Sequence, residues 1–62
     1  MIGVGAIVKF AEPQSDDETA ERFVVKELRG ERVLVEDIQS SAAIKPTFVY
    51  MLNDMKLAVE EA

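Results

Sequence analysis

The stretch FVVKELRGERVLVEDI, residues 23–38, decides the fold of this chain. Two runs rich in β-branched and apolar residues flank an Arg-Gly pair, and such residues favour the pleated surface of a strand. Gly30 can adopt the positive φ that a tight turn requires. The stretch therefore predicts an antiparallel hairpin with strands over residues 22–28 and 32–38.

The register of this hairpin stays open in the sequence. A two-residue turn and a three-residue loop are both compatible with the Arg-Gly pair, which is a weaker turn signal than Asn-Gly. The three-residue loop would set Phe23 opposite Val35 and Val25 opposite Val33. A slip by one residue would change every cross-strand pair.

The flanking segments predict one more strand and two loops. Residues 2–10 alternate with period 2, so Val8 and Phe10 share one side of a first strand. Residues 11–21 are polar and acidic and predict a solvated loop, in which a capping box starting at Ser15 could support one helical turn. Residues 39–46 predict a second loop.

Residues 47–62 fit two structures. In the first, a strand beginning with TFVY leads through a tight turn at residues 53–55 into a short last strand at residues 56–59. In the second, Thr47 caps a helix whose apolar side chains recur at helical spacing. The strand interpretation is favoured because TFVY, rich in β-branched and aromatic residues, directly follows Pro46.

The strand interpretation predicts an all-β fold, a small SH3-like barrel of about five strands with one short helical turn. The alternative is an α+β fold in which a three-stranded antiparallel sheet packs against a C-terminal helix. In either case 62 residues form a single domain, residues 1–62.

The order of elements resembles a group of short bacterial SH3-like barrel proteins, most of them uncharacterised, that begin with a G-x-x-V-x-F strand. These proteins tend to end with a Pro-Thr strand and a one-turn crossover. The resemblance implies a fold and no particular activity, because the matching residues are turn and core positions. They are GAIVKF at residues 5–10, RFVVKE at 22–27, GERVLVE at 30–36, IKPT at 44–47 and NDMKL at 53–57.

Composition argues against several classes of function. The chain has no Cys and no His, which removes thiolate zinc sites, cysteine nucleophiles and the usual general base near neutral pH. The acidic cluster at residues 16–21 lacks the spacing of a calcium-binding loop. We therefore expect no enzyme, no cofactor and no metal site.

Charge and hydropathy bear on location. The net charge of −5 disfavours nucleic acid and anionic membrane surfaces. No apolar run approaches the length of about 20 residues that spans a bilayer, and the first residues do not resemble a signal peptide. We expect a cytoplasmic protein that does not associate with membranes.

The leading functional hypothesis is a non-catalytic protein–protein interaction module that self-associates as a homodimer or other homo-oligomer. Small domains commonly need an additional stabilising device, and without disulfides or zinc only association is left. Apolar side chains are left over once one core face is filled, and Tyr50 is the aromatic residue best suited to partial exposure. The predicted contact surface comprises Val24, Leu34, Val49, Met51 and Tyr50.

The alternative hypothesis is binding of nucleic acid or a phosphate ligand through a basic ridge on the hairpin. Acidic residues are interleaved along the same strands, so cross-strand ion pairs explain the pattern without a ligand. Nucleic acid is therefore the less favoured partner. The ridge would comprise Arg22, Lys26, Arg29 and Arg32.

Overall fold

The structure, a computed structural model, describes residues 2–58. It contains five strands, one five-residue helix and one 3₁₀ turn, in an order that confirms the predicted all-β class. In chain order these are β1 (Ile7–Phe10), α1 (Asp16–Ala20), β2 (Phe23–Arg29), β3 (Arg32–Asp37), β4 (Thr47–Met51), the 3₁₀ turn (Leu52–Asp54) and β5 (Met55–Leu57).

The five strands form one antiparallel sheet in the order β4-β3-β2-β1-β5. The sheet is open, with β4 and β5 as its two edges, and it curls strongly. The ring of Tyr50 on β4 lies 5.3 Å from the ring of Phe10 on β1, although β3 and β2 separate these strands in the sheet. The core fills the concave side and consists of Val8, Phe23, Val25, Val33, Val35, Met55 and Ala58.

The first strand is shorter than predicted, beginning at Ile7 rather than Ile2. Gly5 has a φ of 92°, a conformation that side-chain-bearing residues rarely adopt, and it ends a turn in which the Ala6 amide donates to the Gly3 carbonyl. The turn places Val4 in solvent, 67% exposed, instead of on the core side with Val8. The Gly5 amide still donates to the Val25 carbonyl at 2.8 Å, so this segment remains beside β2.

The hairpin has neither of the registers considered from the sequence. Arg29 lies opposite Arg32, so Gly30 and Glu31 form a two-residue turn, and the φ of 63° at Gly30 fits a type II′ turn. A β-bulge between Val25 and Glu27 then shifts the register by one residue. Val25 therefore lies opposite Val35, and both side chains face the core. Without the bulge, the turn would place a lysine, Lys26, opposite Val35 and on the core side.

The last segment follows the strand interpretation, and the alternative with a C-terminal helix is wrong for residues 47–58. β4 pairs with β3 along its whole length, and the 3₁₀ turn carries the chain across the open side of the sheet to β5. The Leu52 amide fixes this crossover by donating to the Glu31 carbonyl at 2.7 Å. The predicted end of the last strand, Val59, lies outside the described residues.

Candidate functional surfaces

The convex face of the sheet carries an apolar band of two cross-strand pairs, flanked by two glutamates, because Val24 lies opposite Glu36 and Leu34 lies opposite Glu27. Ile7 on β1 lies opposite Val24 on β2, and Leu34 on β3 lies opposite Val49 on β4. Met51 follows on the same side of β4, two residues beyond Val49. Val24 and Leu34 are half-buried, whereas Val49 is 49% exposed and Met51 40% exposed. The band therefore becomes more exposed as it approaches the β4 edge.

Four of the five residues predicted for the contact surface lie on this convex face. The fifth, Tyr50, lies on the concave side because successive side chains along β4 point to opposite faces. Ile7 was not included in the predicted surface, although period-2 alternation placed it opposite to Val8 in β1. Its position beside Val24 depends on which strands pair, which the sequence does not specify.

The aromatic residues form one cluster on the concave side. The Phe23 ring is buried at its centre and meets the rings of Phe10, Phe48 and Tyr50 edge-on, with centroids 5.5–6.1 Å apart. Phe48 stacks on Tyr50 at 5.8 Å and remains 38% exposed. Phe23 thus belongs to the buried core. Phe48 and Tyr50 form the accessible edge of the cluster, which is called the rim below.

A cleft of about 330 Å³ opens at this rim, between α1 and the 3₁₀ turn. Its walls combine two aromatic rings with three carboxylate residues, and neither Lys nor Arg lines it. The Ala11 amide donates to the Asp54 carbonyl at 2.8 Å and holds the end of β1 against the 3₁₀ turn. The lining residues are Phe10, Ala11, Glu12, Gln14, Glu18, Tyr50 and Asp54.

Local hydrogen bonds fix the α1 side of the cleft. The predicted capping residue, Ser15, accepts a hydrogen bond from the Glu18 amide through its hydroxyl at 3.2 Å. The Glu18 carboxylate reaches back and accepts from the Gln14 amide at 2.9 Å. The segment expected to be mainly a solvated loop therefore contains an ordered helical turn that orients Glu18 along the cleft.

The surroundings of Tyr50 carry a negative electrostatic potential. Burial raises the pKa of the Tyr50 hydroxyl, and the carboxylates of Glu21, Glu18 and Asp37 raise it further. The pKa of Glu21 is also raised, first by burial and then by Asp37, Asp17 and Glu18. Both shifts come first from burial and then from the neighbouring carboxylates, which disfavour another negative charge beside the rim.

Glu21→Gln is expected to raise the melting temperature at pH 7 and to leave it unchanged near pH 3.5. The raised pKa of Glu21 favours its neutral form in the folded state. The associated stability is fully present below the unfolded-state pKa of about 4.3 and is lost as pH rises through the higher folded-state pKa. Glutamine removes the charge at pH 7, while near pH 3.5 the wild-type carboxyl is itself mostly neutral.

Thermal unfolding at the two pH values tests this prediction. Glu31→Gln, which removes one charge at the exposed hairpin turn, is the matched control and should show little difference between the two conditions. A Glu21→Gln variant that is destabilised at pH 7, or equally stabilised at both pH values, would contradict the assignment.

The four residues of the predicted basic ridge do not form one continuous surface. Arg22 lies before β2, where its guanidinium donates to the carbonyls of Thr19 and Glu21 at 2.9 and 2.7 Å. Lys26 is exposed at the bulge, and Arg32 is exposed across from Arg29 near the turn. The four residues are therefore spread along the hairpin, with Arg22 before β2, Lys26 at the bulge, and Arg29 and Arg32 beside the turn.

Arg29 forms an ion pair within this hairpin. Its guanidinium donates to the Glu27 carboxylate at 2.9 and 3.2 Å, and the pKa of Glu27 is lowered by that hydrogen bond and by the neighbouring charge. This pair lies along one strand rather than across two, because the Gly30-Glu31 turn sets Glu27 opposite Leu34 while Arg29 is two residues away on the same face of β2. The interleaved acidic residues thus neutralise at least part of the basic surface.

Residues 2–58 contain no group of three or more carboxylates arranged to hold a metal ion. The acidic residues at positions 16–21 instead distribute around α1. No helix in the same part of the chain is long and apolar enough to cross a membrane. No family model matches the sequence, and no curated protein or solved structure matches it either.

Proposed function

We propose that this chain is a non-catalytic interaction module whose primary partner is a second copy of itself. The observation that carries the proposal is the apolar band on the convex face, which runs toward the β4 edge. Val49 and Met51 are the exposed end of that band. Apolar patches of this kind on small domains commonly mark protein contacts.

The β4 edge supports the same conclusion. β4 has the sequence TFVYM, which contains no charged residue and no proline, and among the described strands it pairs only with β3. Edge strands of monomeric proteins usually carry charges, prolines or bulges that prevent pairing with another chain. A second copy would cover both this edge and the adjoining band.

The size of the surface indicates a weak association. A standard interface covers about 800 Å² on each partner, nearly a fifth of the 4300 Å² of accessible surface on this chain. The apolar band and the five residues of β4 are fewer than the roughly 20–30 residues that each partner contributes to a standard interface. We therefore expect a dimer that forms in the micromolar range or above and dissociates on dilution.

Val49→Lys is expected to keep the chain monomeric at concentrations where the wild type associates. The substitution places a charge at the exposed end of the band and on an edge strand, where lysine opposes strand pairing. Sedimentation velocity over a concentration series measures the mass directly. The wild-type mass should rise above the monomer value of 6.9 kDa with concentration, and that of the variant should not.

Asn53→Lys is the matched control, because it adds the same charge at an exposed position outside the band. It should associate like the wild type. A wild-type mass of 6.9 kDa at every concentration up to the millimolar range would exclude self-association. Equal association of the wild type and Val49→Lys would show that the interface lies elsewhere.

A further inference from the structure

The rim cleft lies on the concave side of the sheet, on the face opposite the apolar band. We propose that this cleft binds an arginine side chain from an extended basic segment of a partner protein. The occupant is inferred from the volume of the cleft, its two aromatic walls and its unpaired carboxylates.

The volume limits the class of ligand. At about 330 Å³ the cleft lies near the lower end of the range of roughly 300–1,000 Å³ that is usual for ligand sites. It can accept one long side chain with part of its backbone, and it is too small to enclose a cofactor. The exposed ring of Phe48, stacked on Tyr50, extends the contact surface beyond the cleft for the flanking residues of a peptide.

The walls suit a guanidinium group. Phe10 and Tyr50 meet edge-on with ring centroids 5.3 Å apart, so a planar cation could lie on one ring while it remains close to the other. Arginine stacks on aromatic faces and also forms bidentate hydrogen bonds with carboxylates, a combination that lysine cannot reproduce. Both kinds of group line this cleft.

The carboxylates provide charge complementarity. Within residues 2–58, the side chains of Glu12 and Asp54 make no hydrogen bond or ion pair, so both remain available to a ligand. Glu18 is held in place by the Gln14 amide. Burial is the main cause of the raised pKa of Tyr50, and the carboxylates of Glu21, Glu18 and Asp37 raise it further, so the charge near this ring is also negative.

A neutral proline-rich segment is the competing occupant, since such segments dock on aromatic surfaces. It would contact the rings and leave the carboxylates of Glu12 and Asp54 without a function in binding. An arginine uses both parts of the cleft. The arginine-containing segment is therefore the occupant that the lining favours.

Tyrosine fluorescence provides a direct test, because Tyr50 is the single tyrosine and the chain has no tryptophan. We expect a saturable change when the full chain is titrated at low salt with the capped peptide Ala-Arg-Ala-Arg-Ala. The affinity should fall as salt is added. The peptides Ala-Gln-Ala-Gln-Ala and Ala-Pro-Ala-Pro-Ala should produce no saturable change over the same concentration range.

Two matched double variants locate the site. Glu12→Gln with Asp54→Asn removes both unpaired carboxylates and should weaken arginine-peptide binding roughly three- to tenfold, as expected for two partly exposed charge pairs. Glu31→Gln with Glu36→Gln changes the net charge equally at positions outside the cleft, whose side chains make no ion pair within residues 2–58, and should leave the affinity within about twofold of wild type. Backbone amide chemical shifts establish that each variant is folded and show where the peptide binds.

Three results would overturn the proposal. These are no saturable change with the arginine peptide at millimolar concentration, binding of the proline peptide as tight as that of the arginine peptide, and equal weakening by the two double variants. The last result would mean that overall charge rather than the cleft determines binding. Because Tyr50 lies on β4, the titrations are run at a protein concentration at which sedimentation velocity shows only the monomer, so that each result is separate from self-association.

Discussion

Phe23→Ala is expected to leave the domain mostly unfolded at 25 °C. Phe23 is 1% exposed and lies at the centre of the aromatic cluster, so truncation removes contacts with three other rings as well as burial. Phenylalanine-to-alanine substitutions in cores cost about 3–5 kcal/mol. A single core in a domain of this size supplies no more than about 3–5 kcal/mol of net stability. The expected loss is therefore comparable with the entire net stability of the domain.

Urea denaturation followed by circular dichroism measures this loss. Phe48→Ala is the matched control, because Phe48 belongs to the same cluster but is 38% exposed. It should lose only about 1 kcal/mol and remain folded. A folded Phe23→Ala variant that is no less stable than Phe48→Ala would show that the core does not depend on the central ring.

Met55→Ala is expected to lose about 2–5 kcal/mol, the range observed when a large aliphatic core side chain is truncated. Met55 is 5% exposed, lies opposite Phe10 and is the buried anchor of the three-residue strand β5. Without it, β5 has little to hold it against β1. We expect the β1–β5 amides to lose protection from hydrogen exchange before those of the β2–β3 hairpin.

Met51→Ala provides a control with the same side chain in a different environment. Met51 lies four residues earlier and is 40% exposed on the convex face, so its truncation should change the stability of the monomer by no more than about 0.5 kcal/mol. It should instead weaken the concentration-dependent association proposed for that face. Equal destabilisation by the two substitutions would contradict the burial pattern described here.

Period-2 alternation was sufficient to predict the two hairpin strands and the core positions within them. Val33 and Val35 are separated by one residue in a β-branched run, and any register that buries one of them buries the other. The hairpin strands begin and end within one residue of their predicted positions. The all-β class follows from these strands together with TFVY after Pro46.

The register was not predictable because two local features compensate for each other. The turn uses Gly30 and Glu31 instead of Arg29 and Gly30, which shifts each cross-strand partner by two residues, and the bulge next to Lys26 shifts it back by one. A bulge has no reliable signature in a single sequence. Its effect is visible only once the side chains of both strands must share one core.

The cleft was missed for a different reason. Glu12 and Asp54 come from the first loop and the last turn, and the pairing of β1 with β5 places them side by side, while the curl of the sheet brings Tyr50 to them. Tyr50 was expected among the convex residues because its hydroxyl needs water or a partner. At the cleft rim the ring is packed against Phe10 and Phe23 while part of the side chain remains accessible.

The apolar band and the rim cleft lie on opposite faces of one sheet, and this separation has a consequence for valency. Occupation of the convex face by a second copy would leave the cleft of each copy open. A pair of chains would then present two equivalent acceptor sites to a ligand that carries two basic segments. Binding of the first segment would raise the effective concentration of the second, so that two weak contacts together could retain a ligand that neither holds alone.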